Sequence, residues 1–346
     1  MEFDYRHDRW NGFKQYYKQM ILSGDCDPAY PALNYICDRF ELNREQRYWV
    51  AFLYATNYCV PTTFYIYNEF PDFENIDINR METWWKNNKS KLYFQSDRVK
   101  VKNFNKFIES VSSYQQLIGN RTQHQFFMRL TTGDREINYL AVYEEAKKIY
   151  YFGRFSLFNY LEALYNLTNL DIEPTSLDLS DAESCRNGLC YALKEDNMVT
   201  LHHARSLKQI DYNLLNNKLI QLKMELTQGN PDIYVTFWNI ETVLCAYKKL
   251  FWKKRYLGYY IDRMQEEINI MQKAIPIGIC WQVLWDFRNE FFNDSLLGEK
   301  QLWSGIRKNR LTFFDKTGRF IERDNFEKKY KDRVVFKKIG EIYEYS

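Results

Sequence analysis

The sequence predicts a mostly α-helical protein, on three observations. Apolar residues recur at steps of three and four through most of the chain; Gly and Pro number only 13 and 7 in 346 residues; and 45% of the residues are apolar, enough to fill a sizeable core. The expected organisation is a helical body over residues 1–295 and a small basic C-terminal appendage over 296–346 with short strands. Where the body divides into two lobes, the aromatic and glycine junction at 145–155 is the expected boundary.

Residues Arg44 to Tyr58 place Trp49, Phe52, Leu53, Thr56 and Asn57 at helical spacing, and Pro61 ends that helix. A second helix is expected over Thr63 to Phe70, broken by Pro71-Asp72. Asp97 to Arg129 then reads as a basic connector followed by a helix, with Asn103 or Asn105 as cap and Phe104, Phe107, Ile108 and Val111 on the buried stripe. Gly153-Arg154-Phe155-Ser156 reads as a loop entering a helix over Leu157 to Leu167, and Asp178 to Ser184 as capping chemistry before a short helix holding Asn187-Gly188-Leu189-Cys190. Helices over Leu201 to Thr227, Tyr234 to Phe251, Tyr260 to Lys273 and Gly278 to Phe292 follow. Thr312-Phe313-Phe314 and Arg319-Phe320-Ile321 flank Asp315-Lys316-Thr317-Gly318, a β-hairpin pattern, and Arg333 to Phe336 with Glu341 to Tyr345 add edge strands.

A formal charge of +3 does not by itself call for a polyanionic partner, so the distribution of charge carries the information. From Lys86 to Lys106 seven bases face one acid, and Lys248, Lys249, Lys253, Lys254 and Arg255 form a second cluster. Each cluster admits two readings, a solvated face or a phosphate contact, and the aromatic rings interleaved with both lean modestly towards the second. The seven cysteines show no Cys-x-x-Cys pair, which points to reduced thiols in a cytoplasm. No apolar run approaches the ~20 residues needed to span a bilayer, so no membrane partner is expected. Neither a Walker loop nor a dinucleotide glycine motif occurs, and the four histidines, His202-His203 included, lack zinc-site spacing; no metal and no cofactor is called for.

On a helix, Ile240, Val243, Leu244, Tyr247 and Phe251 form a core stripe, leaving Glu241, Cys245, Lys248 and Trp252 on an adjoining face. Acid and base on one stripe admit two readings, a surface ion pair or a site, and the following Tyr256, Tyr259, Tyr260, Asp262 and Arg263, reached through Gly258, favour the site. A matching constellation is Trp281, Trp285 and Arg288, read either as packing around a salt bridge or as rings beside a phosphate-binding arginine.

The runs Arg47-Tyr48-Trp49-Val50-Ala51-Phe52-Leu53-Tyr54, Phe70-Pro71-Asp72, Glu241-Thr242-Val243-Leu244-Cys245-Ala246-Tyr247-Lys248 and Tyr256-Leu257-Gly258-Tyr259-Tyr260-Ile261-Asp262-Arg263, with Pro61, together resemble the helical phage proteins of thymine hypermodification. The resemblance is to the amino acid:DNA transferases and, next to them, the glutamyl/putrescinyl thymine pyrophosphorylases, over roughly residues 40–292. It implies a fold akin to DNA glycosylases and two partners, double-stranded DNA and an amino acid or other amine, in the cytoplasm of a phage host. The implied reaction displaces pyrophosphate from a pyrophosphorylated 5-hydroxymethyluracil. Residues compatible with it are Glu241 or Asp262 to deprotonate the amine, assisted by Lys248, with Lys248, Lys249, Arg263 and Arg288 to hold the departing pyrophosphate. Tyr259, Trp281 and Trp285 suit stacking on an extruded base, and the segment holding Arg154 and Ser156 suits a grip on the DNA backbone. Two other classes fit the same residues: a glycosylase-like hydrolase, and a non-catalytic protein that binds DNA or a host partner.

Overall fold

A computed structural model describes residues 4–95, 98–103, 106–200, 210–291 and 303–319. Among these the regular structure is helical throughout, with no strand. In chain order the helices are α1 (Arg9–Leu22), α2 (Ala29–Arg39), α3 (Arg44–Asn57), α4 (Val60–Glu69), α5 (Ile78–Asn88), α6 (Val99–Asn103), α7 (Lys106–Ile118) and α8 (Gln123–Met128). They continue as α9 (Arg135–Ala146), α10 (Arg154–Thr168), α11 (Glu183–Leu193), α12 (Tyr212–Gly229), α13 (Phe237–Phe251), α14 (Tyr259–Ala274), α15 (Trp281–Phe291) and α16 (Trp303–Thr317). The chain forms two compact units. The first is residues 1–28, 175–263 and 289–346; the second is 29–174 and 264–288, so that 145–155 lies inside the second.

The second unit is built around α3, which is buried from Tyr48 to Asn57 on every side and not only along the predicted stripe. A helix that is apolar all round belongs at the centre of a helical body. An Asn43–Gln46 capping box starts it and Tyr58, in the left-handed conformation, stops it. Pro61 does more than end α3: it sits in the first turn of α4, where a missing N–H costs nothing, so α4 begins at Val60, earlier than expected. Phe52 stacks on Tyr114 at 4.2 Å and meets the edge of Tyr160 on α10 at 6.0 Å. The buried hydroxyls are satisfied within this aromatic core, Tyr160 donating to Tyr114 at 3.1 Å and Tyr114 to Gln123 at 2.9 Å.

In the first unit α11 lies directly on α13. A Cβ at Gly188 would stand 2.2 Å from the carbonyl oxygen of Leu244, so only glycine permits this approach. The predicted hairpin near residue 315 is not formed. Thr312, Phe313 and Phe314 lie within α16, where Leu311 and Phe314, three residues apart, are buried and Phe314 meets Phe251 edge-on at 5.4 Å. Gly318, read as a hairpin residue, instead takes φ +67° and donates its N–H to the Phe314 carbonyl, a helix stop. β-Branched and aromatic side chains gave the strand signal; burial of a three-residue spacing against α13 overrides it. The other expected strand segments, the His202-His203 pair and the Asn105 cap lie outside the described residues.

Candidate active site

The stripe predicted on α13 exists, and it faces inward. α13 is started by Thr236, whose hydroxyl accepts from the Asn239 N–H, and it runs through the first unit with Glu241, Cys245 and Lys248 all buried. The ammonium of Lys248 donates to both the carbonyl and the hydroxyl of Ser184, each at 2.6 Å, and lies 5.2 Å from the Trp252 ring centre. Two of its three protons are thereby engaged. Burial pulls the Lys248 amine below its ordinary range, against the opposing influence of Cys245 and Glu241. The Cys245 thiol donates to Glu241 Oε1 at 3.3 Å and lies 3.0 Å from the Ser184 hydroxyl. Burial, and then the Glu241 charge, push this thiol up to about 12, so it is a neutral donor and not a nucleophile.

Opposite this face stands the tight loop that follows α1. Gly24 and Asp27 both take left-handed backbone conformations, at φ +69° and +50°. Such a conformation is costly for a residue with a Cβ, and asparagine and aspartate tolerate it best. Asp25 is fully buried and accepts from the backbone N–H groups of Gly258 (2.7 Å), Tyr260 (2.9 Å) and Ile261 (3.1 Å), which caps α14. Gly258 adopts φ +98° at this closure, the tight approach its sequence position suggested.

Asp27 is only partly buried. Removal from water pushes its carboxyl up to about 6; the Glu241 charge adds to that rise, and a hydrogen bond with Thr242, the Cys26 thiol and the Arg255 charge oppose it. Arg255 hydrogen-bonds the Tyr260 hydroxyl and packs on two rings, with its guanidinium carbon 4.7 Å from the Tyr260 centre and 5.1 Å from that of Tyr259. Two carboxylates, an ammonium and a guanidinium therefore share one polar interior, and such a constellation suits a zwitterion that loses a proton.

The remaining expected residues are placed as follows. Asp262 is buried and accepts from the Tyr256 hydroxyl at 2.7 Å, which positions that ring. Lys249 closes the turn after α13 through its carbonyl, which accepts from the N–H groups of Lys254 and Arg255, and Arg263 is half-buried on the first turns of α14. The second unit holds the others. Arg288 is buried and donates to Gln265 at 2.9 Å; Trp281 is buried and donates to the Ile275 carbonyl at 3.0 Å; Trp285 is half-buried and donates to Gln272 at 3.0 Å. Arg154 lies 5.9 Å from the Phe158 ring centre and Ser156 is buried, both on the first turn of α10, whose cap Gly153 has open space where a side chain would stand.

Asp25, Asp27, Ser184, Thr242 and Arg255 were not among the expected site residues. The signal for the first two is the segment Gly24-Asp25-Cys26-Asp27-Pro28, two acids and a proline packed into a turn too short for a helix. Ser184 was read as part of a helix cap; in the structure Ala182 is the α11 cap and makes no side-chain bond, which leaves the Ser184 hydroxyl to Lys248 and Cys245.

The family model described as "Amino acid:DNA transferase" matches residues 21–256, a span that contains Asp25, Asp27, Ser184, Glu241, Cys245, Lys248 and Arg255. A protein of Salmonella phage ViI named "Serinyltransferase" is 29% identical over 296 residues, covering 79% of this chain and 71% of that one. With two thirds of its length matched and its polar interior lying inside the match, the chain belongs to the amino acid:DNA transferase family and is a transferase that modifies DNA.

Proposed function

We propose that this transferase installs an amino acid on a pyrophosphorylated 5-hydroxymethyluracil in duplex DNA, releasing pyrophosphate. The observation that carries this reading is the set of buried Glu241, Cys245 and Lys248 joined with Ser184 by hydrogen bonds, beside which removal from water pushes the Asp27 carboxyl up to about 6. An amino acid enters as a zwitterion: its ammonium suits Glu241 and Asp27, its carboxylate suits Arg255. Asp27 takes the proton; the freed nucleophile forms a bond to the methylene carbon on C5 while the carbon–oxygen bond to pyrophosphate breaks. Lys248, Lys249 and Arg263 are the cations we assign to the leaving group, and Asp262 acts by holding Tyr256.

To the second unit we assign the DNA backbone, with Arg154 and the open, glycine-capped end of α10 as phosphate contacts and Arg288 as the residue that positions Gln265. Tyr259, half-buried in the first unit, is the ring assigned to the base. A glycosylase-like fold is part of the same reading, supported by the all-helical second unit. Action in the host cytoplasm is supported by seven cysteines that form no disulfide.

The test is mass spectrometry of nucleosides from DNA carrying pyrophosphorylated 5-hydroxymethyluracil, incubated with the protein and a mixture of amino acids and polyamines. The expected result is an amino-acid-bearing thymidine with one pyrophosphate released per adduct. Serine offers a hydroxyl as well as an amine, and fragmentation of the adduct distinguishes the two linkages. Loss of the base without adduct points to a hydrolase and overturns the proposal, as does unmodified DNA.

A further inference from the structure

The loop between α14 and α15 projects the most exposed large apolar side chain among the described residues. Ile277 is 86% exposed, against 59% for the next, Ile137. A single exposed apolar residue is ordinary. What sets this one apart is the rigidity of its mount and the charge around it.

Both ends of the loop are pinned. On one side Ile275 is buried and its carbonyl accepts from the Trp281 indole at 3.0 Å. On the other Gly278 takes φ +117°, and its carbonyl accepts from the Asn68 amide at 3.1 Å. A Cβ at Gly278 would stand 3.1 Å from the Tyr65 ring, so the turn is pressed against α4. Pro276 fixes φ just before the exposed isoleucine. The backbone that carries this side chain is thus ordered in advance, and the exposed side chain gains only if a partner covers it.

Tyr65 connects the loop to bases. Its hydroxyl lies 3.4 Å from Asn88 and its ring 5.5 Å from Trp84, at the end of α5 where Lys86 and Lys91 are exposed. Lys86 pairs with Glu82 at 2.8 Å. Lys273, in the last turn of α14 and four residues before Ile277, is exposed. Of these bases Lys91 and Lys273 suit phosphates, with Glu69 also acting on Tyr65, whereas the side chain of Ile277 suits the apolar face of a base pair. Proteins that kink or open duplexes insert isoleucine, leucine, methionine or phenylalanine between base steps from such settings.

We propose that Ile277 is a wedge that enters the base stack and fills the space left when a thymine is extruded, with Trp281 as the buttress that holds its loop. The inference rests on duplex DNA being the substrate and on no particular modified base. It is tested by titrating the full chain against two labelled duplexes of one sequence, intact or with one thymidine replaced by a tetrahydrofuran abasic analogue. The gap accepts the wedge without the cost of unstacking, so the wild-type chain binds the abasic duplex at least about tenfold more tightly, the effect of burying one isoleucine side chain. Ile277→Ala brings the ratio close to one and leaves affinity for the intact duplex and its salt dependence unchanged; Ile277→Leu keeps the preference. Because the side chain is exposed, neither substitution disturbs the fold, which circular dichroism checks.

A wild-type chain that binds both duplexes alike, an Ile277→Ala variant that retains the preference, or an equal weakening on both duplexes each overturns the wedge. Nucleoside mass spectrometry on the same variants separates this from the transferase reading. An adduct formed by a chain with no abasic preference leaves the transferase standing, with the C5 substituent attacked from the major groove.

Discussion

The two units bury a helix pair in opposite ways. In the second, α3 and α10 meet through rings: Trp49, Phe52 and Tyr160 are fully buried, and the one buried acid of α10, Glu162, accepts from the Tyr30 hydroxyl at 3.1 Å. In the first, α11 and α13 meet through glycine, and the space beside the contact holds Ser184, Glu241, Thr242, Cys245 and Lys248. Aromatic packing stabilises through area and shape; a polar interior costs desolvation and is retained where its charges have another use. The contrast sets a candidate site in the first unit against an aromatic core in the second. It also predicts that substitutions of similar size act on different observables in the two units.

The largest expected effect on stability is in the aromatic unit. Phe52→Ala removes a ring that stacks on Tyr114 and touches Tyr160, and is expected to cost about 3–5 kcal/mol, read as a fall in the midpoint of thermal unfolding. A loss under about 1 kcal/mol would mean that the ring cluster does not carry the unit. Glu241→Gln is the counterpart in the polar unit. It keeps shape and the bond from Cys245, so folding and DNA affinity stay close to wild type while product formation falls at least about 100-fold. Unchanged turnover would return Glu241 to a structural role and erase the contrast between the units.

What the sequence made legible follows the same division. Helical periodicity located α3, α10 and α13 because each buries a stripe or more of apolar residues, and the spacing of Glu241, Cys245 and Lys248 placed them together before any coordinates. It missed Asp27 and Arg255. These residues join the site through a loop after α1 and a turn after α13, more than two hundred residues apart, and no periodic signal links them. It misjudged residues 312–318 because strand propensity is local and the burial of Leu311 and Phe314 is not. Packing was one of the two readings of Trp281, but its indole bond to the Ile275 carbonyl was not legible, since it depends on a turn of the chain.

A smaller effect tests the polar unit through pH. Asp27 has its carboxyl raised from 3.8 to about 6 in the fold, so the folded chain binds this proton more tightly than the unfolded one does. The penalty for ionising it is absent below about 3.8, grows between 3.8 and 6, and is complete above 6. Turnover is therefore expected to rise through pH 6 to a plateau, and Asp27→Asn to abolish that limb together with most activity. The same variant should be more stable than wild type above pH 6 and no more stable near pH 4. A wild-type limb that survives in Asp27→Asn would assign the titration to another carboxylate.

The smallest expected effect concerns the basic stretch of the second unit, where the structure divides what the sequence left together. Arg98 is buried, donates to the Tyr58 hydroxyl at 3.2 Å and lies 5.4 Å from the Phe155 ring centre. Lys102 donates to the Leu92 carbonyl at 2.7 Å and Lys106 to Tyr150 at 2.6 Å. These three serve the fold, whereas Lys91 and Lys100 are exposed. If exposed bases carry the phosphate contacts, Lys91→Ala and Lys100→Ala each flatten the slope of log affinity against log salt by about 0.9, with little change in turnover at saturating DNA. Lys102→Ala should instead lower stability and leave the slope alone. Equal slopes for all three variants would place the DNA contacts elsewhere, and the division between scaffold and chemistry would then have to be drawn through the first unit alone.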